Sequence, residues 1–203
     1  MTQLPTPAPP NVAEGAATAA STRFADTALA HDAVDVTYAT LDTPVGRLVA
    51  VRTRAGLAML SYEDHRGGLD AILDVAAARL SPRVLEAPAA LDDVRRQLEQ
   101  YFAGDRTTFA LDLDLRLASP YTQRVMRATI AVPFGTTVTY ATIATALGNP
   151  KASRAAGRAL GANPIPIVVP CHRIVGSSGR LTGYTGGMHR KVALLELEGL
   201  VLG

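Results

Sequence analysis

The chain has 203 residues, 48% of them hydrophobic, a formal charge of +2, four histidines and one cysteine. That supplies a core for one domain or two small ones, while a single thiol excludes an intrachain disulfide and argues against a structural zinc site. No apolar run approaches the ~20 residues that cross a bilayer, and the start lacks a basic, apolar leader, so a soluble protein of the reducing cytoplasm without membrane association is expected.

Residues 1–33 are rich in Ala, Pro and Thr without a steady period, and PTPAPP (5–10) favours extended, unpaired backbone. A disordered tail over 1–33 is expected. From Val34 the pattern changes. VDVTYATLD (34–42), GRLVAVRT (46–53) and GLAMLSYE (56–63) are short β-branched or alternating runs separated by turn residues, which predicts an antiparallel meander. GLDAILDVAAARL (68–80) carries Leu69, Ile72, Leu73, Ala76 and Leu80 at helical spacing. LDDVRRQLEQYFAG (91–104) has an acidic start and a closing glycine, the end signals of a second helix. FALDLDLRL (109–117) alternates strictly and predicts a strand. Residues 34–117 therefore read as a small α+β domain.

Residues 118–203 read as a mostly helical domain. Ser119-Pro120 is a cap with a proline in the first turn, opening a helix to about Ile130. VPFGTTVTY (132–140) leads into a short helix over 140–147, and Gly148-Asn149-Pro150 is a turn. KASRAAGRALGAN (151–163) is a small-residue helix, so the pair is a helix-turn-helix candidate. Its Ala/Gly face permits close approach to a surface, and Lys151, Arg154 and Arg158 suit phosphate; helix packing uses small residues too. IPIVVP (165–170), flanked and broken by prolines, cannot be a central strand and is expected to be rigid and buried. HRIV, GSSG and RLTGY read as a hairpin, and MHRKVALLELEG (188–199) as the last helix.

Charge is divided unevenly. Arg116–Gly203 holds ten Lys/Arg against two Asp/Glu (+8), and Met1–Leu115 holds ten against sixteen (−6). A basic half joined to an acidic half suggests contact with a polyanion; an ordinary basic surface is the plainer alternative.

The one cysteine, Cys171, leaves the proline-fixed segment and is followed by His172 and Arg173. Most buried lone cysteines are inert small hydrophobes. Here a neighbouring base and cation favour thiolate, and Glu198 on the last helix could orient an imidazole. Adjacent residues rarely point the same way, so His172 is expected to reach the thiol through a water or a bent backbone. On this chemistry alone a hydrolase or a redox thiol stays open.

PCHRIV (170–175), GYTGG (183–187) and LLELEG (194–199), with FGTTVTYATIA (134–144), GNPKASRAAGRAL (148–160) and ANPIPIVVPCHR (162–173), resemble the O6-alkylguanine-DNA alkyltransferases. The likeness is dense from Tyr121 to Leu200, weaker over 34–117 and absent from 1–33. It implies a ribonuclease-H-like first domain, a winged helix-turn-helix-like second domain, and no cofactor. The partner it implies is double-stranded DNA containing O6-alkylguanine, met by a monomer. Cys171 would take the alkyl group and keep it, with His172 as base through a water and Glu198 polarising it. Arg154 would enter the base stack, and Tyr140 would crowd a phosphate and protonate the departing guanine. Ala152, Lys151 and Arg158 would meet the DNA. Asn163, the Ile174 carbonyl, Tyr184 and Thr185 would form the substrate pocket. No metal is implied, because the first domain has no cysteine. A non-catalytic protein that only recognises alkylguanine is the alternative, and Cys171 speaks against it.

Overall fold

A computed structural model describes residues 12–65 and 67–201, the side chains of 12–18 and Asp26 apart. It is α+β. The first unit is built on a four-stranded sheet: β1 (Val36–Leu41), β2 (Leu48–Thr53), β3 (Gly56–Tyr62) and the short β4 (Val84–Glu86), in the order β3-β2-β1-β4. β1, β2 and β3 form the antiparallel meander, and β4 pairs parallel with β1. Three residues of β4 carry no readable period, so the sequence gives no hint of it. Val36, Val49, Val51 and Met59 on one sheet face pack on Ile72 and Ala76 of α2 (Gly68–Arg79). The other face packs on Val94, Leu98 and Tyr101 of α3 (Asp92–Phe102).

Two expectations for this half are corrected. Residues 1–11 lie outside the described residues, but Val12–Ala30 is a helix, α1, where a disordered tail was expected. Alanine has the highest helix propensity, and the prolines that suggested disorder end at Pro10. The helix is docked by buried Ala25 and followed by an Asp32–Arg54 ion pair at 2.6 Å. Nor is 109–117 a strand. It makes one isolated bridge to Leu57, then a 3-10 turn over Leu115–Leu117. Asp114 leaves any ladder to cap that turn at Arg116 N and to accept from Thr53 Oγ1 at 2.6 Å, while apolar residues on either side still pack inward.

The second unit holds α4 (Pro120–Ile130), α5 (Tyr140–Ala146), α6 (Ser153–Gly161) and α7 (Met188–Leu197). Ser119 caps α4 with Pro120 in its first turn, and Thr139 caps α5. The expected helix over 151–163 is shorter: Pro150–Ala152 is a 3-10 turn, so Lys151 and Ala152 precede α6. The expected hairpin is also corrected. β6 (Ile174–Val175) pairs parallel with β5 (Val138–Thr139), and the 176–180 turn returns without a second strand. Arg173 and Ile174 are drawn inward by buried partners, and the RLTGY arm keeps the turn bond from Gly176 N to Arg180 O and the Lys191 bond to Thr182 O instead of a ladder.

Segment 165–170 joins the units. Ile165, Ile167 and Val169 are fully buried in the cluster that holds Leu60, Leu91 and Tyr101 of the first unit. Leu60 N of the edge strand donates to Pro164 O at 2.8 Å. Among the described residues no helix is long and apolar enough to cross a membrane.

Candidate active site

The turn that delivers Cys171 is tightly held. Val168 N donates to Pro166 O across Ile167, whose φ is +73°. A β-branched residue in this γ-turn geometry costs on the order of 1–3 kcal/mol, which the surrounding core must supply. Asn163, just beyond α6, spans the turn. Its Nδ2 donates to Val169 O (3.1 Å) and Cys171 Sγ (3.3 Å), and its Oδ1 accepts from Ile165 N (3.0 Å). Cys171 opens a 3-10 turn that continues through His172 and Arg173. Burial pushes its thiol up to about 11, opposed by the Asn163 hydrogen bond and the Lys191 charge.

His172 is buried, with Nε2 at 2.8 Å from Glu198 Oε1. Glu198 is the residue that ends α7 rather than a residue within it. Its carboxyl also accepts from Arg173 Nε (2.9 Å) and Nη2 (2.9 Å), Tyr101 OH (2.8 Å) and Gly135 N (3.1 Å). Burial by itself would raise its pKa; the hydrogen bonds from His172, Arg173 and Tyr101 outweigh burial and hold it down at about 2. An ionised carboxylate only accepts, so the histidine Nε2 carries the proton and Nδ1 holds the lone pair. Nδ1 is buried without a hydrogen-bond partner among the described residues. Burial lowers the His172 pKa despite the Glu198 bond, so the ring is neutral at neutral pH. The arrangement is a neutral base with its acceptor nitrogen free. The thiol and the imidazole are not hydrogen-bonded to each other; the thiol accepts from Asn163 Nδ2.

Two participants, Tyr101 and Lys191, went unnoticed in the sequence, and Arg173, expected beside the thiol, is bound to Glu198 instead. Arg173 ties Glu198 to Val132 O (2.6 Å) through Nη1, and Tyr101 reaches Glu198 from the first unit. Lys191 is fully buried, donates to Ile174 O (2.6 Å) and Thr182 O (3.0 Å), and is lowered to about 8 by burial. Its signal was available: Lys191, Leu194, Leu195 and Glu198 have i, i+3, i+4, i+7 spacing, and all four are buried.

Cys171 lines a cavity of about 700 Å³ together with Tyr140, Arg154, Arg158, Tyr184 and Thr185. Tyr140 lies against Gly157 of α6, where a Cβ would sit 3.6 Å from its ring. Its hydroxyl accepts from Thr182 Oγ1 at 3.2 Å, leaving its own proton free. Lys151, Arg154 and Arg158 are exposed and make no ion pair among the described residues. Lys151 and Ala152 do not line the cavity, and neither do His172, Glu198, Asn163 and Ile174, which stand behind it. The Ile174 carbonyl is already engaged by Lys191, which leaves it one lone pair. Thr185 turns its hydroxyl to Gly161 O at 3.4 Å. Among the described residues no group of three His, Cys, Asp or Glu could hold a metal ion.

Residues 36–115 match the ribonuclease-like domain of 6-O-methylguanine DNA methyltransferase, and residues 120–200 match its DNA-binding domain. A methylated-DNA–protein-cysteine methyltransferase of Mycobacterium tuberculosis is 42% identical over 166 residues, covering 79% of this chain and 91% of that protein. A constitutive one from Bacillus subtilis is 38% identical over 164 residues, covering 79% and 94%. The crystal structure of the M. tuberculosis O6-methylguanine methyltransferase superposes with a TM-score of 0.70 at 41% identity, covering 80% of this chain and 92% of that one. A structure of the M. tuberculosis protein in complex with DNA gives 0.69 at 41%, with the same coverage.

Proposed function

The chain belongs to the 6-O-methylguanine DNA methyltransferase family, and from that premise we propose that it repairs DNA by direct reversal, moving an alkyl group from O6 of guanine to Cys171 Sγ. The sulfur attacks the alkyl carbon, the carbon–oxygen bond breaks, and a thioether forms. The thiol proton passes to His172 Nδ1, through a water, as guanine departs. Glu198, held ionised, stabilises the resulting imidazolium. Tyr140 gives its proton to a ring nitrogen of the leaving base, and Thr182, donating to that hydroxyl, strengthens it as a donor. A thioether does not hydrolyse, so each molecule acts once.

The observation that carries the reading is the shared cavity: the thiol, Tyr140 and the exposed Arg154 line one space. The reacting carbon is inside a duplex, so the nucleotide must be turned out, with Arg154 filling its place in the stack and the Ala/Gly face of α6 close in the minor groove. Lys151 and Arg158 hold phosphates, while Asn163, Ile174, Tyr184 and Thr185 shape the base pocket. A thiol that must remain reduced suits the cytoplasm, and the protein works as a monomer without a cofactor. Cys171→Ala tests the reading. It is expected to bind alkylated duplex and transfer nothing; surviving transfer would overturn the assignment.

A further inference from the structure

We propose that Tyr62, in the first unit, is a positioning residue that sets the width of the alkyl pocket by holding Tyr184; this rests on the alkyl-transfer reading above. Tyr62 ends β3 and is 2% exposed. Its hydroxyl shares a 3.0 Å hydrogen bond with the Tyr184 hydroxyl, and the two rings meet edge to face with centroids 6.3 Å apart. Tyr184 lines the cavity beside Cys171, and its ring also stands edge-on to His172 at 6.4 Å. A residue of the β-sheet therefore grips an aromatic wall of the reaction site across the boundary between units.

Tyr62 is itself fixed. The Arg190 guanidinium lies over its ring, 4.1 Å from the centroid. That guanidinium donates to Val45 O (2.7 Å), to Gly186 O (3.0 Å) and to Asp64 Oδ2 (2.6 Å). Gly186 lies so close to Tyr62 that any Cβ there would overlap the ring. The loop carrying Tyr184 is thus clamped between Tyr62 and an arginine that holds Gly186 of the loop while anchored to Val45 and Asp64 of the first unit. The bond with Tyr62 holds the Tyr184 hydroxyl. With it, the ring keeps one position and the space over the sulfur suits a small alkyl group. Without it, the ring can swing aside and admit a larger one.

The test compares transfer rates to Cys171 from O6-methylguanine and O6-butylguanine in the same duplex. The variants are Tyr62→Phe, Tyr184→Phe and the double substitution. In Tyr62→Phe the butyl-to-methyl rate ratio is expected to rise about fivefold, the scale of one neutral hydrogen bond. Tyr184→Phe should give the same rise and the double variant no more, because both remove the same bond. An unchanged ratio, a proportional loss of both rates with a lowered melting temperature, or additive effects in the double variant would overturn the inference. If the unsubstituted protein transfers neither group, the alkyl-transfer reading fails and takes this one with it. If it transfers both and the ratio does not move, the inference alone falls.

Discussion

His172 Nε2 stands 2.8 Å from Glu198 Oε1, and the same carboxylate accepts from Arg173 and Tyr101. One buried anion therefore fixes the tautomer of the base, neutralises a buried guanidinium and ties the two units together.

Glu198→Gln should lower transfer about a hundredfold, the scale of losing an oriented general base. Stability should fall by about 3 kcal/mol, because Arg173 is left as an uncompensated buried charge. The carboxyl's pKa is depressed from 4.5 to about 2, so its contribution is complete above 4.5 and is lost as pH falls toward 2. His172, also lowered, acts in the same direction, costing stability as pH falls below its ordinary 6.5. Denaturant melts across pH 2–5 check this: the Gln variant should show the shallower acid dependence, and equal slopes would count against the ionised carboxylate.

The thiol of the free protein should be sluggish. With its pKa at about 11 through burial, alkylation by iodoacetamide is expected to rise roughly tenfold per pH unit between 8 and 10. A plateau below pH 8 would mean that the resting sulfur is already thiolate.

Asn163→Ala removes a side chain that satisfies Ile165 N and Val169 O in a buried turn. A loss of about 1–3 kcal/mol in stability is expected. Transfer should slow as well, since Sγ loses the hydrogen bond from Asn163 Nδ2. Thermal melts with single-turnover kinetics measure both. An unimpaired rate would separate the turn from the chemistry.

Arg154→Ala should slow repair of duplex DNA far more than reaction with a free O6-alkylated base. Equal losses on both substrates would show that Arg154 does not open the duplex.

What was legible in the sequence was whatever is written locally. The alternation of 34–63, the capped start of α4 and the Cys171-His172-Arg173 run each carry their own pattern over a few residues. The contacts that complete the site are not local. Tyr101 and Glu198 lie 97 residues apart in the chain, and Tyr62 meets Tyr184 only because β3 ends beside the 184–187 loop. The strict alternation of 109–117 misled because burial on one side looks the same with or without a ladder, and Asp114 chose a cap. The alanine run of α1 misled in the opposite way: it has no apolar stripe, and its helicity comes from propensity and docking at Ala25.

In the proposed reaction Cys171 accepts and keeps the alkyl group. Intact-protein mass before and after mixing with a duplex containing one O6-methylguanine, followed by peptide mapping, tests it most directly. A permanent gain of one methylene per protein is expected on the peptide holding Cys171, with unmodified guanine restored in the duplex. Tight binding with no change in mass would contradict it and leave a protein that recognises the lesion without removing it.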